Sequence, residues 1–127
     1  MQTPTVVLAE GTDITRIVVG ADRLDVYNAP ALRELSVDLA RTLRYRQILD
    51  LQDVRDADST GLGVIVGMGN RAIGHGGALV LVNVGVDLAY TLRITGLDKR
   101  LVIASDLTSA VAFFNIPFPL DEDDEAA

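Results

Sequence analysis

The chain has no cysteine, no tryptophan and a single histidine, and each shortage removes a class of chemistry. Without thiols there is no disulfide framework, no cysteine nucleophile and no zinc–thiolate site. His75 stands alone in a glycine-flanked turn, so a Ser-His-Asp hydrolase would have to use it. The Gly-x-Ser-x-Gly elbow is also missing, because Ala57 lies two residues before Ser59. His75 reads as a solvated turn residue. No Gly-Lys-[Ser/Thr] step of a nucleotide-hydrolysing loop occurs. Aromatic residues make up 5% of the chain against 49% hydrophobic in total, so the core must be built from Leu, Val, Ile and Ala. No apolar run reaches the roughly 18 residues of a spanning helix, and the stretch Leu62 to Met68 is broken by Gly67 and followed by Gly69. No charged-then-apolar start resembles a signal peptide. The expectation is a soluble, cytoplasmic protein that is not an enzyme, with no catalytic residues, no cofactor, no metal site and no membrane partner.

Positive charge is scarce: 11 Lys and Arg face 18 Asp and Glu, for a formal net charge of −7. The run Asp121 to Glu125 contributes five of those negative charges, so the remainder is nearly balanced. Direct nucleic-acid binding is not expected, since phosphate contacts need clustered Lys and Arg. One domain over residues 1–116 is expected, followed by an acidic, disordered tail over 117–127. A docking tail for a basic partner is the other reading of that segment.

Along the chain, strands alternate with helices. Thr5 to Ala9 and Ile14 to Val19 read as strands, with Glu10 to Asp13 as the turn between them. A helix starts at Asn28 or Ala29, with Pro30 in its first turn and an apolar stripe of Leu32, Leu35, Leu39 and Leu43. Gln47 to Leu51 is the next strand. A helix follows from about Ser59 to Ile73, and Gly74 to Gly77 ends it in a tight turn. Ala78 to Val82 is continuously apolar, as in a central strand covered on both faces. Val86 to Thr95 is a short helix stopped by Gly96, Leu101 to Ala104 a buried strand, and Ser105 or Asp106 caps a last helix. Such alternation implies βαβ units in an α/β fold.

The most informative stretch is Asp56-Ala-Asp-Ser-Thr-Gly-Leu-Gly63, where a strand gives way to a helix. Ser59 falls where that helix begins. A serine there can cap backbone amides, or carry a phosphate, since a helix N-terminus tolerates negative charge. Asp58 is favoured at the same place by the helix dipole alone. Gly61, Gly63 and Gly67 superficially match a dinucleotide loop, but residues 70 to 86 hold no Asp or Glu to take a ribose. These glycines are instead expected to let the helix pack closely on the sheet. Leu62, Ile65, Gly69, Ala72 and Ile73 form its core stripe. Val64 and Met68 lie on another face and are expected to be at least partly exposed, either to a partner or beneath a neighbouring loop.

The segment Leu49 to Gly63 resembles the core motif of the STAS domain, in particular of anti-sigma factor antagonists, and Asp58-Ser-Thr-Gly-Leu-Gly63 matches it without a mismatch. Gly20-Ala-Asp-Arg-Leu-Asp25 is similar to the family's Gly-x-Leu-Asp turn with an insertion, and Leu92 to Asp98 to its late helix ending in Thr-Gly-Leu. Arg55, Asp56 and Ala57 depart from the pattern, which is usually apolar there. The resemblance spans roughly residues 5 to 114. It implies a single STAS-like α/β domain, a mixed β-sheet of about five strands with about four helices. It further implies that the unphosphorylated protein binds an anti-sigma factor that is also a serine kinase, is released on phosphorylation of Ser59, and is reset by a serine phosphatase. Asp58, Thr60, Gly61 and Asp25 would surround the phosphosite. Leu62, Gly63, Val64, Gly67 and Met68 would meet the partner. A scaffold or ligand-sensing module on the same fold, with Ser59 only a cap, is the alternative.

Overall fold

Apolar residues at alternate positions set the strands, and their two sets face opposite sides of one sheet. The computed structural model describes residues 5–8 and 13–115, so the expected turn at 10–13 and the acidic tail lie largely or wholly outside the described residues. The order along the chain is β1 (Thr5–Leu8), β2 (Ile14–Val18), β3 (Arg23–Leu24), α1 (Ala29–Arg41), β4 (Arg46–Asp50), β5 (Asp56–Ala57), α2 (Ser59–Gly74), β6 (Ala78–Val82), α3 (Val86–Ile94), β7 (Val102–Ile103) and α4 (Leu107–Asn115), with a single 3-10 turn at Leu97–Lys99. The main sheet runs β1-β2-β4-β6-β7. Its first pair is antiparallel and the other three are parallel, so the sheet is mixed. A separate two-stranded parallel sheet pairs β3 with β5.

One face of the main sheet carries Ile17, Leu49, Leu79 and Leu81, covered by Leu32 and Leu39 of α1, Leu62, Ile65 and Met68 of α2, and Leu88 and Leu92 of α3. The other face carries Ile14, Ile48, Val80 and Val82 and is covered by α4 through Ala110, Val111 and Phe114. Strand β6 is thus buried on both sides, as its unbroken apolar run requires.

Three residues expected to be buried are exposed. Leu43 does not extend the α1 stripe: the helix ends at Arg41, and Leu43 turns back with φ 60° and 76% exposure while the Arg44 amide closes on the Leu39 carbonyl. The left-handed residue that usually follows a helix is a leucine here, where glycine would be unstrained. The strand at Leu101 to Ala104 shortens to two residues at the sheet edge, where Ile103 is 41% exposed and, among the described residues, no further strand pairs beyond it. Ile73 is 59% exposed, past the end of the surface that α2 presents to the sheet. At the close of α2, Gly76 adopts φ 86°, and a Cβ on Gly77 would overlap the Tyr45 carbonyl. His75 is exposed and stacks on Tyr45 with ring centroids 4.3 Å apart.

Candidate functional site

Two short strands assemble the site. Leu24 of β3 pairs with Ala57 of β5, and the Asp58 amide donates to the Leu24 carbonyl at 3.0 Å. Residue 25 therefore comes to lie beside residue 58 although 33 positions separate them in sequence. A Cβ on Gly61 would sit 2.5 Å from the Leu24 carbonyl oxygen, so glycine at 61 is what permits this approach.

Asp58, not Ser59, caps α2. Its Oδ1 accepts the Gly61 amide at 2.9 Å, and its Oδ2 accepts the Val26 amide at 3.2 Å. The Gly61, Val26 and Thr60 amides, with the Arg23 charge behind them, hold its carboxyl below the ordinary carboxylate range. Both oxygens of Asp58 are therefore committed to amides. Ser59 is the first residue of the helix, exposed, and its hydroxyl makes no hydrogen bond among the described residues. Thr60 is exposed as well. No imidazole attends either hydroxyl, because His75 caps the opposite end of α2 and its Nδ1 lies 2.8 Å from the Arg71 carbonyl oxygen. The geometry offers an exposed hydroxyl to an incoming reagent.

Asp25 organises the turn beside Asp58. Its Oδ1 accepts the Tyr27 amide at 2.9 Å, its carbonyl accepts the Asn28 and Ala29 amides, and its own amide donates to Asn28 Oδ1 at 2.8 Å. That turn pushes Val26 and Tyr27 outward, 54% and 77% exposed. The sequence reading missed both. Their signal was available: two apolar residues between an Asp and an Asn-Ala-Pro helix start, with no periodic partner.

The expected contact residues divide. Gly63 is exposed, and Val64 and Gly67 are half-buried. Leu62 and Met68 belong to the core, Met68 with no exposed surface at all. The expectation that Met68 faces solvent is thus corrected: α2 packs against α1 as well as the sheet, so its buried arc is wider than one stripe. The role expected of Gly63 and Gly67 is corrected too. A Cβ at either position would meet nothing within 4 Å, so close packing inside the chain does not require them. Ser59, Gly63 and Gly67 follow one another at four-residue spacing down the open side of the helix.

Among the described residues no helix is long and apolar enough to cross a membrane, and no group of three or more His, Asp or Glu is placed to hold a metal ion. Comparison with known proteins agrees with the geometry. The STAS domain family model matches residues 7–110. The anti-sigma-B factor antagonist of Bacillus subtilis (strain 168) is 46% identical over 85 residues, which is 67% of this chain and 77% of that protein. An anti-sigma-factor antagonist (STAS) domain protein from Planctomyces limnophilus superposes with a TM-score of 0.80 at 17% identity, covering 91% of this chain and all of the other. The Bacillus cell fate determinant SpoIIAA, solved in its phosphorylated form, superposes with a TM-score of 0.67 at 15% identity, over 88% of this chain and 99% of its own. At those identities the two structures speak for the fold, while the family match and the B. subtilis relative carry the assignment: the chain belongs to the STAS domain family.

Proposed function

We propose that this chain is an anti-sigma factor antagonist that binds an anti-sigma factor with serine-kinase activity through the Ser59 face of α2, and is released when Ser59 is phosphorylated. The observation that carries the reading is the exposed Ser59 hydroxyl continued by Gly63 and Gly67, two helix-interior glycines with open space where a side chain would be. Glycine inside a helix costs about 1 kcal/mol relative to alanine. A face kept flat at that cost suits the close approach of another protein. The B. subtilis relative, an anti-sigma-B factor antagonist by name, supports the same partner class.

The chain is then the substrate of the transfer and not its catalyst. The Ser59 oxygen bonds to the γ-phosphorus of the kinase's ATP, ADP departs, and the hydroxyl proton passes to a base of the kinase. A serine phosphatase hydrolyses the ester and restores the hydroxyl. The phosphate adds about −1.5 to −2 of charge beside Asp58. The α2 dipole offsets part of that in the free protein. In a packed interface the new charge must also shed water, at several kcal/mol, and a loss of ~3 kcal/mol weakens binding more than a hundredfold. Incubation with the cognate anti-sigma factor and ATP, followed by peptide mass spectrometry, is expected to place one phosphate on Ser59 and to abolish co-elution of the two proteins. A phosphate on Thr60 with Ser59 unmodified, or a phosphoprotein that stays bound, would overturn the reading.

A further inference from the structure

The two ends of the main sheet carry opposite charge. Asp22, Asp25, Asp53, Asp56, Asp58 and Asp87 gather at the carboxyl ends of the parallel strands, where Ser59 lies, with Arg23 and Arg55 among them. The other end is basic. Arg44 and Arg46 lead into β4, and Lys99 and Arg100 lead into β7. Of the acids there, Asp13 pairs with Arg46 at 2.8 Å, Asp38 pairs with Arg41 at 3.4 Å, and Asp98 has one oxygen buried. The side chains of Arg44, Lys99 and Arg100 make no hydrogen bond or ion pair among the described residues, and Lys99 and Arg100 are exposed. Helices α1, α2 and α3 end here too, but each carries its own cation in its last turn, Arg41, Arg71 and Arg93. Arg44, Lys99 and Arg100 are thus in excess of what the helix dipoles call for.

The C-terminal segment departs from this same basic end. The Phe114 carbonyl accepts from the Arg46 guanidinium, which also lies over the Phe114 ring, 5.2 Å from its centroid. The last turn of α4 is therefore fixed at the start of β4. Arg46 pairs with Ala78, and Val80 pairs with Val102, which sets the backbone of Arg100 two strand spacings, roughly 10 Å, from Arg46. Residues 116–127 follow Asn115, and Asp121 to Glu125 among them are all acidic. The path from Asn115 to Asp121 can span at most about 20 Å, which is enough to bring the acidic run over Lys99 and Arg100.

We propose that the basic end is the docking surface for this chain's own acidic run, Asp121 to Glu125, which straps back over it and pairs with Arg44, Lys99 and Arg100. Charge selects the end: beside Ser59 the same carboxylates would meet the Asp cluster instead. One exposed ion pair is weak, so the contact rests on several pairs together and on the tether at Asn115, which holds the run at high effective concentration. The strap leaves the Ser59 end clear for a partner. It shares no residue with the Ser59 face and stands whether or not Ser59 is phosphorylated.

The chain has no cysteine, so Ala126→Cys gives a single site for a nitroxide label next to the acidic run. In the full ¹⁵N-labelled chain at low salt, the label is expected to broaden the amides of Arg44, Lys99 and Arg100 and to spare those of Val26, Gly61 and Asp87. Salt at about 1 M, where the screening length falls to about 3 Å, is expected to remove the broadening at Lys99 and Arg100. The pair Lys99→Gln and Arg100→Gln, at exposed positions, is expected to remove it as well and to keep the melting temperature. A separate chain with Asp121→Asn, Glu122→Gln, Asp123→Asn, Asp124→Asn and Glu125→Gln together is expected to do the same. Absence of broadening at Lys99 and Arg100, or broadening there that survives both salt and the two variants, would overturn the proposal. So would broadening centred on the Ser59 end. Broadening of a label-free ¹⁵N chain mixed with nitroxide-bearing ¹⁴N chain would make a second copy the donor of the acidic run, and would overturn it too.

Discussion

Asp58 Oδ2 accepts the amide of Val26, 32 residues away in sequence, while its Oδ1 accepts the amide of Gly61 in the first turn of its own helix. One carboxylate thus fastens the start of α2 to the turn that precedes α1. Asp58→Ala is expected to lower the melting temperature and to speed exchange of the Val26 amide. Asp58→Asn keeps an oxygen for Gly61 but offers the Val26 amide no second acceptor. It is expected to recover the melting temperature in part and leave Val26 unprotected. Hydrogen exchange with a thermal scan checks this, and equal protection of Val26 in all three proteins would contradict it.

Because Ser59 is not the cap, its substitution separates fold from binding. Ser59→Ala is expected to change stability by less than about 0.5 kcal/mol, as for other exposed sites without partners. Ser59→Asp is expected to stay folded, since an acid suits the first helical turn, and to bind the anti-sigma factor at least about tenfold more weakly. Calorimetric titration alongside melting curves reads both quantities.

Gly63→Ala and Gly67→Ala should move stability and binding in opposite directions. Each added methyl meets open space, so each variant is expected to gain up to about 1 kcal/mol in denaturant unfolding. Each is also expected to weaken the partner complex by lifting it off the helix. Unchanged affinity in both would show that the partner docks elsewhere.

The buried Asp50 is held by three partners. Arg16 holds its Oδ2 at 2.5 Å, and Asn83 and the Gln52 amide reach its Oδ1, both at 3.0 Å. Burial pushes this carboxyl upward, but the hydrogen bonds from Arg16, Asn83 and Gln52 and the Arg16 charge outweigh it and hold it below the ordinary carboxylate range. A depressed carboxyl stabilises the fold fully above the unfolded value and loses that contribution as pH falls through the folded one. Arg16→Met is expected to cost about 1.5–3 kcal/mol at neutral pH, toward the lower end because the Arg16 side chain is 31% exposed and so partly screened. It should also raise the pH of acid unfolding, since the Asp50 carboxyl then protonates earlier. An unchanged acid midpoint would contradict this role.

Much of the site was legible in the sequence. The start of α2 at Ser59, the start of α1 after Asn28 and the stop at Gly96 follow from local chemistry, and all three stand. The Asp106 cap stands as well, with its Oδ1 2.8 Å from the Ser109 amide. Burial was less legible. Met68 looked like a surface residue because a single stripe already accounted for the sheet contact, and nothing local reveals that α1 covers a second side of α2. Gly63 and Gly67 looked like packing glycines beside Gly61, but only Gly61 meets another backbone. Val26 and Tyr27 drew no reading from the sequence, and only the Asp25 turn shows them exposed.

By itself the sequence determined the order of the main-sheet strands and the four helices, though not the short β3 and β5, together with the aliphatic core and the place of a serine at a helix start, because periodicity, capping and turn residues act over a few positions. Tertiary structure decided which residue caps that helix, which glycines are open, and that residues 24–26 stand against 57–61. Those outcomes depend on backbone hydrogen bonds formed between segments some thirty residues apart. No local pattern encodes them: an Asp with a helix on one side accepts whichever second amide the fold brings to its other oxygen.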